Sequence, residues 1–190
     1  MITNKHILYS IPVIIGKIED VDNESLMENA FKNSENKIKK SKLNTGFEDS
    51  QLEKTDALVD MLNKIQDDMW NEKGIDLDVV GWWAHIQEPN MSTNLHAHRG
   101  DEKQPIDIGG VYYPHDAHED SGEIVFQWPD LRMKWGKELK SFKPEKGMYL
   151  LFPCHLDHWV TRNTSDENRV SISFNMEITN KESIGKWELL

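Results

Sequence analysis

One cysteine, Cys154, is all that this 190-residue chain contains. No intrachain disulfide can form, and a thiolate-rich structural zinc site is excluded. A reducing, cytoplasmic setting is the expected one. Long apolar runs are also missing. The stretch from Met1 to Ile15 is broken by Ser10 and Pro12 and lacks a small-residue cleavage site. It reads as a first strand rather than a signal peptide. No run approaches the roughly 20 apolar residues of a membrane-spanning helix. Basic charge is in short supply, with 22 Lys and Arg against 33 Asp and Glu and a formal net charge of −11. That balance disfavours a nucleic-acid backbone as partner. The densest basic run, Lys37 to Lys42, falls in a helical segment and reads as a solvated face. Internal repeats and low-complexity segments are absent.

What is present changes character near residue 75. The length suits one domain with a helical appendage. Asn23 to Phe31 has a capping residue followed by apolar positions at helical spacing. A second helix is expected to start near Asp49 or Ser50, with Leu52, Thr55, Val59, Leu62, Ile65 and Met69 on one face and Gly74 as its stop; Gly46 lies in the polar break before it. Beyond residue 75 short strands are expected at 77–87, 94–98, 108–113, 123–128, 139–142, 148–152, 158–162 and 169–178. Turn signals such as Glu88-Pro-Asn90 and Asp120-Ser-Gly122 separate them. About eight closely spaced strands point to a sandwich or barrel.

The chemistry concentrates in the strands. His96 and His98 sit two apart, so on a strand they share one face. His158 follows several strands later, and Arg169 one hairpin beyond that. Imidazole suits iron, zinc, copper and nickel, and three ligands with open positions characterise a catalytic site. In Arg169-Val-Ser-Ile-Ser-Phe-Asn175 the residues Arg169, Ser171, Ser173 and Asn175 share a face opposite Val170, Ile172 and Phe174. Either the polar face meets solvent, or Arg169 points inward with Ser171 beside it to grip a carboxylate, a task its planar fork suits.

Four ordered stretches carry a family resemblance: His96-Ala-His98, Gly109-Gly-Val-Tyr-Tyr113, Phe152-Pro-Cys-His-Leu-Asp-His-Trp-Val160 and Arg169-Val-Ser-Ile-Ser-Phe-Asn175. Together they resemble the 2-oxoglutarate/iron(II)-dependent oxygenases of the phage and marine-bacterial type, within the prolyl-hydroxylase-like superfamily. The resemblance covers roughly residues 78 to 178. It implies a mainly β fold, a double-stranded β-helix (jelly-roll, cupin-like) barrel at 76–180, with a strand and supporting helices at 1–75, all in one oxygenase domain. The implied activity is hydroxylation of a small molecule or a protein side chain, with iron(II) as metal, 2-oxoglutarate as co-substrate, and succinate and carbon dioxide as products. Position by position, His96 and His158 would be metal ligands and Arg169 would hold the distal carboxylate of 2-oxoglutarate, assisted by Ser171. Tyr113 would hydrogen-bond the co-substrate; Tyr112 points the other way. No catalytic residue is expected beyond the metal ligands. Trp83 and Gln87, on the strand before the ligand pair, are expected to line the pocket, and His85 alternates with them.

The chain leaves the wider oxygenase pattern at one place. The usual carboxylate, two residues after the first histidine, is His98 here. Three readings stay open: His98 ligates, Asp101 swings in with His98 behind it, or a water takes the position as in relatives that bind a halide there. Strand register favours His98. His155-Leu-Asp157 mimics the wider motif, but no histidine follows His158 to complete it. His115 and His118 are expected as exposed loop residues, His6 belongs to no motif, and Trp82, Trp128, Trp135 and Trp159 are expected in the core or at its rim. Two rival classes also stay open: a cupin-like three-histidine metalloprotein that does not use 2-oxoglutarate, and a non-catalytic binding module on the same barrel. The helical part leaves room for a dimer.

Overall fold

A computed structural model of the chain describes residues 11–34, 48–50, 52–98, 106–116, 118–127 and 139–187. His6, the 37–42 basic run, Gly46, Asp101, Trp128 and Trp135 lie outside them, as does Met1 to Ser10 of the expected first strand.

Strand β1 (Ile14–Lys17) leads into helix α1 (Asn23–Ser34), strand β2 (Glu48–Ser50) and helix α2 (Asp56–Lys73). The second helix starts later than its periodicity suggests. Thr55 is its cap rather than a face residue: its hydroxyl accepts from the Leu58 N–H at 3.3 Å. The buried face is consequently Leu58, Met61, Leu62, Ile65 and Met69, without Val59. Gly74 ends the helix at φ 64, its N–H directed to the Met69 and Trp70 carbonyls. Each buried side chain of this size contributes about 1.5–3 kcal/mol before entropy is counted, so packing holds this helix more than propensity does.

Eight strands follow: β3 (Leu77–Gln87), β4 (Thr93–His96), β5 (Ile108–Tyr112), β6 (Ile124–Gln127), β7 (Leu139–Phe142), β8 (Met148–Pro153), β9 (Asp157–Val160) and β10 (Arg169–Ile178), then a short helix α3 (Lys181–Trp187). They form two antiparallel sheets, one ordered β1-β8-β5-β10-β3-β2 and one ordered β4-β9-β6-β7. No strand pairing among the described residues joins the sheets, so the expected barrel is an open two-sheet double-stranded β-helix.

The central strands of the large sheet, β5, β8 and most of β10, are buried on both sides. One face packs Val170, Ile172, Phe174, Met176, Ala84 and Ile86 against the helices. Tyr112 donates to Asn23 Oδ1 at 2.7 Å and Tyr149 donates to Asp68, fastening α1 and α2 to that face. The other face meets the small sheet through Val111, Tyr113, Leu150, Phe152, Phe126 and Val160. The two rows on β10 split as alternation requires, and its polar row faces the space between the sheets.

Two register shifts matter to that split. Against β10, β3 passes from Gly81 opposite Asn175 to Val79 opposite Met176, leaving Val80 as an extra residue. The bulge moves the helix-facing set from Trp82, Ala84 and Ile86 to Leu77 and Val79. A second shift lies between Thr93 and His96 on β4. No helix among the described residues is long and apolar enough to cross a membrane.

Candidate metal centre and co-substrate pocket

His96 and His158 face each other across the β4–β9 ladder, with ring centroids 4.3 Å apart. The shift on β4 lets Thr93 and His96, three residues apart, both line the cavity between the sheets. His98 lies two residues past the strand's end, with its ring 5.1 Å from His158 and 5.7 Å from His96. One ligand nitrogen from each of the three falls within 4.8 Å of the others. Metal–nitrogen bonds near 2.1 Å require roughly 3 Å between adjacent ligand atoms, so modest ring rotations would gather them.

The tautomers are set by acceptors. His96 Nδ1 lies 2.8 Å from the Asn94 carbonyl and His158 Nδ1 2.9 Å from the Leu156 carbonyl, each two residues back. His98 Nδ1 lies 2.6 Å from Asn175 Oδ1. These oxygens only accept, so every Nδ1 carries the proton and every neutral ring presents its Nε2 lone pair. That is the protonation a cluster of metal ligands needs.

Burial reinforces it. His158 is 4% exposed, ringed by Phe152 at 4.7 Å and Phe126 at 5.7 Å. Burial first, then the neighbouring His96 and His98, lowers its pKa from 6.5 to about 2. A folded-state pKa below the unfolded value means that the unfolded chain takes up the proton first. Apo-protein stability is therefore complete above pH 6.5 and declines as pH falls towards 2, by at most about 1.4 kcal/mol per unit. Thermal melts of metal-stripped protein should lose about 2 kcal/mol between pH 7.5 and pH 5, and His158→Gln should flatten that decline. An unchanged slope in the variant would place the acid sensitivity elsewhere.

Arg169 opens β10 and lines the same cavity as the three histidines. It is 2% exposed. Its polar neighbours are neutral and distant: Ser171 Oγ and the Tyr113 hydroxyl, each at 3.5 Å, with Tyr113 also under the guanidinium at 5.3 Å. Nε has no hydrogen-bond partner. Burial pushes the guanidinium below its usual range and the Tyr113 phenol above its own. The phenol stays protonated and the guanidinium charged, so this is a buried cation lacking an anion among the described residues.

Other expected residues fall as follows. His85 lines the cavity, opposite Ser171 on β10. Trp83 does not line it and instead lies 5.5 Å from the His98 ring. Gln87 is turned to the backbone, donating to the Met91 and Thr161 carbonyls. His115 is not a free loop residue: half-buried, its Nε2 accepts from the Val170 N–H at 3.0 Å. His118 is exposed and pairs with Glu167, and His155 is exposed. Asn175 and the Asn94 and Leu156 carbonyls had no assigned part. The glycine pair 109–110 inside a strand was the one sequence signal of a close approach there.

Comparison with known proteins agrees with this geometry. Residues 81–175, half of the chain, match the family described as "Putative 2OG-Fe(II) oxygenase". No curated protein matches. Among solved structures the chain is similar to a Pseudomonas putida prolyl-4-hydroxylase, at 13% identity and TM-score 0.64, over 89% of this chain and 94% of that one. It is similar to the viral collagen prolyl hydroxylase of Paramecium Bursaria Chlorella virus-1, at 17% identity and TM-score 0.60, over 87% and 94%. The non-heme alpha ketoglutarate dependent epimerase SnoN from nogalamycin biosynthesis matches at 11% identity and TM-score 0.68, over 87% and 76%. These likenesses carry the double-stranded β-helix fold, and with the family match they lead to one conclusion: this chain belongs to the 2-oxoglutarate- and iron(II)-dependent oxygenases.

Proposed function

We propose that the protein is a hydroxylase in which His96, His98 and His158 hold iron(II) through Nε2 and Arg169 holds the distal carboxylate of 2-oxoglutarate. The whole chain would serve as one oxygenase domain, the helices at its start backing the large sheet. The observation that carries the reading is Arg169: a charge 2% exposed, without a counter-ion among the described residues, in the cavity that the three imidazoles line. An uncompensated buried charge costs several kcal/mol, and a carboxylate in the guanidinium fork offsets that cost. When bound, iron(II) and 2-oxoglutarate would supply the oxygen chemistry: of the two atoms of dioxygen, one would enter succinate as carbon dioxide leaves and the other would become the substrate's hydroxyl.

The chain's own part is orientation and shielding. Ser171 and the protonated Tyr113 flank Arg169 and would donate to the same carboxylate. Phe126, Leu150, Phe152 and Val160 keep water from the back of the site. With His98 in place of a carboxylate, the ligand set carries one negative charge fewer. That favours an anionic co-substrate and weakens the hold on the metal. A cupin-like site with no use for 2-oxoglutarate leaves the orientation of Arg169 unexplained.

The substrate class is a small molecule or a protein side chain. Two enzymes that share the fold support this breadth, a carbocyclase from nogalamycin biosynthesis and a Trichoplax adhaerens prolyl hydroxylase in complex with a peptide fragment. Uncoupled turnover tests the reading without a substrate. Protein loaded anaerobically with iron(II) and 2-oxoglutarate should release succinate once air is admitted, and none when iron is withheld. Absence of both succinate and calorimetric 2-oxoglutarate binding would refute it.

A further inference from the structure

The third imidazole sits in a slot built around it. His98 lies past the end of β4, so among the described residues no strand ladder includes it. His96 is held by a carbonyl of its own strand and His158 by the Leu156 carbonyl just before its strand, but His98 is held by a side chain 77 residues away, Asn175 Oδ1 at 2.6 Å. Asn175 is half-buried at the β3 bulge and stands opposite Gly109 on β5. Gly109 makes the clearance: a Cβ there would stand 2.9 Å from His98 Nδ1 and 2.7 Å from Phe152 Cε2. Phe152 meets the ring edge-on at 5.7 Å, and Trp83 lies on another side of it at 5.5 Å.

We propose that Asn175 is a positioning residue for the third metal ligand, and that Gly109 gives the ring its room. The inference rests on the three-histidine reading above. An amide oxygen on Nδ1 keeps the proton there and the lone pair on Nε2. With Phe152 and Trp83 against the ring, it also helps set the ring plane. Partners of this kind orient metal ligands and raise their basicity, and losing one costs about 10–100-fold in metal affinity.

The test is anaerobic titration of wild type, His98→Ala, Asn175→Leu, Asn175→Asp and Gly109→Ala with cobalt(II) and iron(II). The visible bands of cobalt report the ligand set, and circular dichroism reports folding. Asn175→Leu has nearly the shape of asparagine without its acceptor. It should weaken binding roughly 10–100-fold and move the cobalt bands towards those of His98→Ala. Asn175→Asp keeps an acceptor and should retain wild-type bands. Gly109→Ala should repeat the Asn175→Leu result, and it decides the matter should the leucine variant not fold. Wild-type affinity and bands in folded Asn175→Leu, or in Gly109→Ala, would overturn the inference alone. Wild-type binding by His98→Ala would overturn the three-histidine reading and the inference with it.

Discussion

Arg169→Ala is expected to abolish succinate formation while leaving metal binding intact. The guanidinium is buried and its flanking groups are neutral, with Ser171 Oγ and the Tyr113 hydroxyl both at 3.5 Å. Breaking a buried, charge-assisted contact costs about 2–5 kcal/mol, which is roughly 30- to several-thousand-fold in affinity for 2-oxoglutarate. Arg169→Lys should fall between, keeping the charge and losing the fork. The apo-protein should respond in the opposite direction. Arg169→Met removes a desolvated charge that lacks a counter-ion and should raise the melting temperature of protein free of 2-oxoglutarate. A residue placed for structure would lose stability with function. Unchanged 2-oxoglutarate binding in the alanine variant would remove Arg169 from the co-substrate site.

The second large effect is expected at the histidines, and it should be unequal. Structural metal sites with four ligands are worth about 10–16 kcal/mol, so one ligand carries about 3–4 kcal/mol, on the order of a hundred- to a thousandfold. His158→Ala should show the full loss of iron(II) affinity. Its ring is held between Phe126 and Phe152 on a strand paired on both sides, where a water finds few partners. His96→Ala should lose less, because His96 is half-exposed on the edge strand and a water can take its place. Anaerobic iron titration measures both, and affinity within threefold of wild type for either variant removes that residue from the ligand set.

Both predictions concern residues whose neighbourhood could be read only in part from the chain. Strand 169–178 matches its expected bounds because its apolar and polar rows alternate between two different partners, and strand 77–87 matches because turn signals bound it, although its bulge breaks the alternation. The split of β10 into an apolar row and a polar row followed from the same alternation. The start of α2 was misjudged because Thr55 fits a helical period as well as it fits a cap, and only its bond to Leu58 separates the two. The extra residue in β3 shifts the phase of its helix-facing set, but the apolar pairs Val79-Val80 and Trp82-Trp83 hide that shift in the sequence, and β4 is too short for its own pattern to show one. His115 read as a loop residue because its partner, the Val170 N–H, lies 55 positions away. The acceptors on the three imidazoles were hidden for two reasons. Backbone carbonyls have no signature in sequence, and the Asn175 contact with His98 spans 77 positions.

The position of β4 at the margin of the small sheet has a further consequence. Among the described residues it has one hydrogen-bonded neighbour, β9, and two of the three imidazoles come from it or from the residues just after it. Edge strands with a single partner are the first to fray. A metal shared by β4 and β9 would act as a clasp across that margin, closing the long excursion of chain between His96 and His158 and lowering the entropy available to the frayed state. Occupancy of the site and order of the margin are then one equilibrium, so scarcity of iron would silence the oxygenase and loosen the same strand through which it must be reloaded.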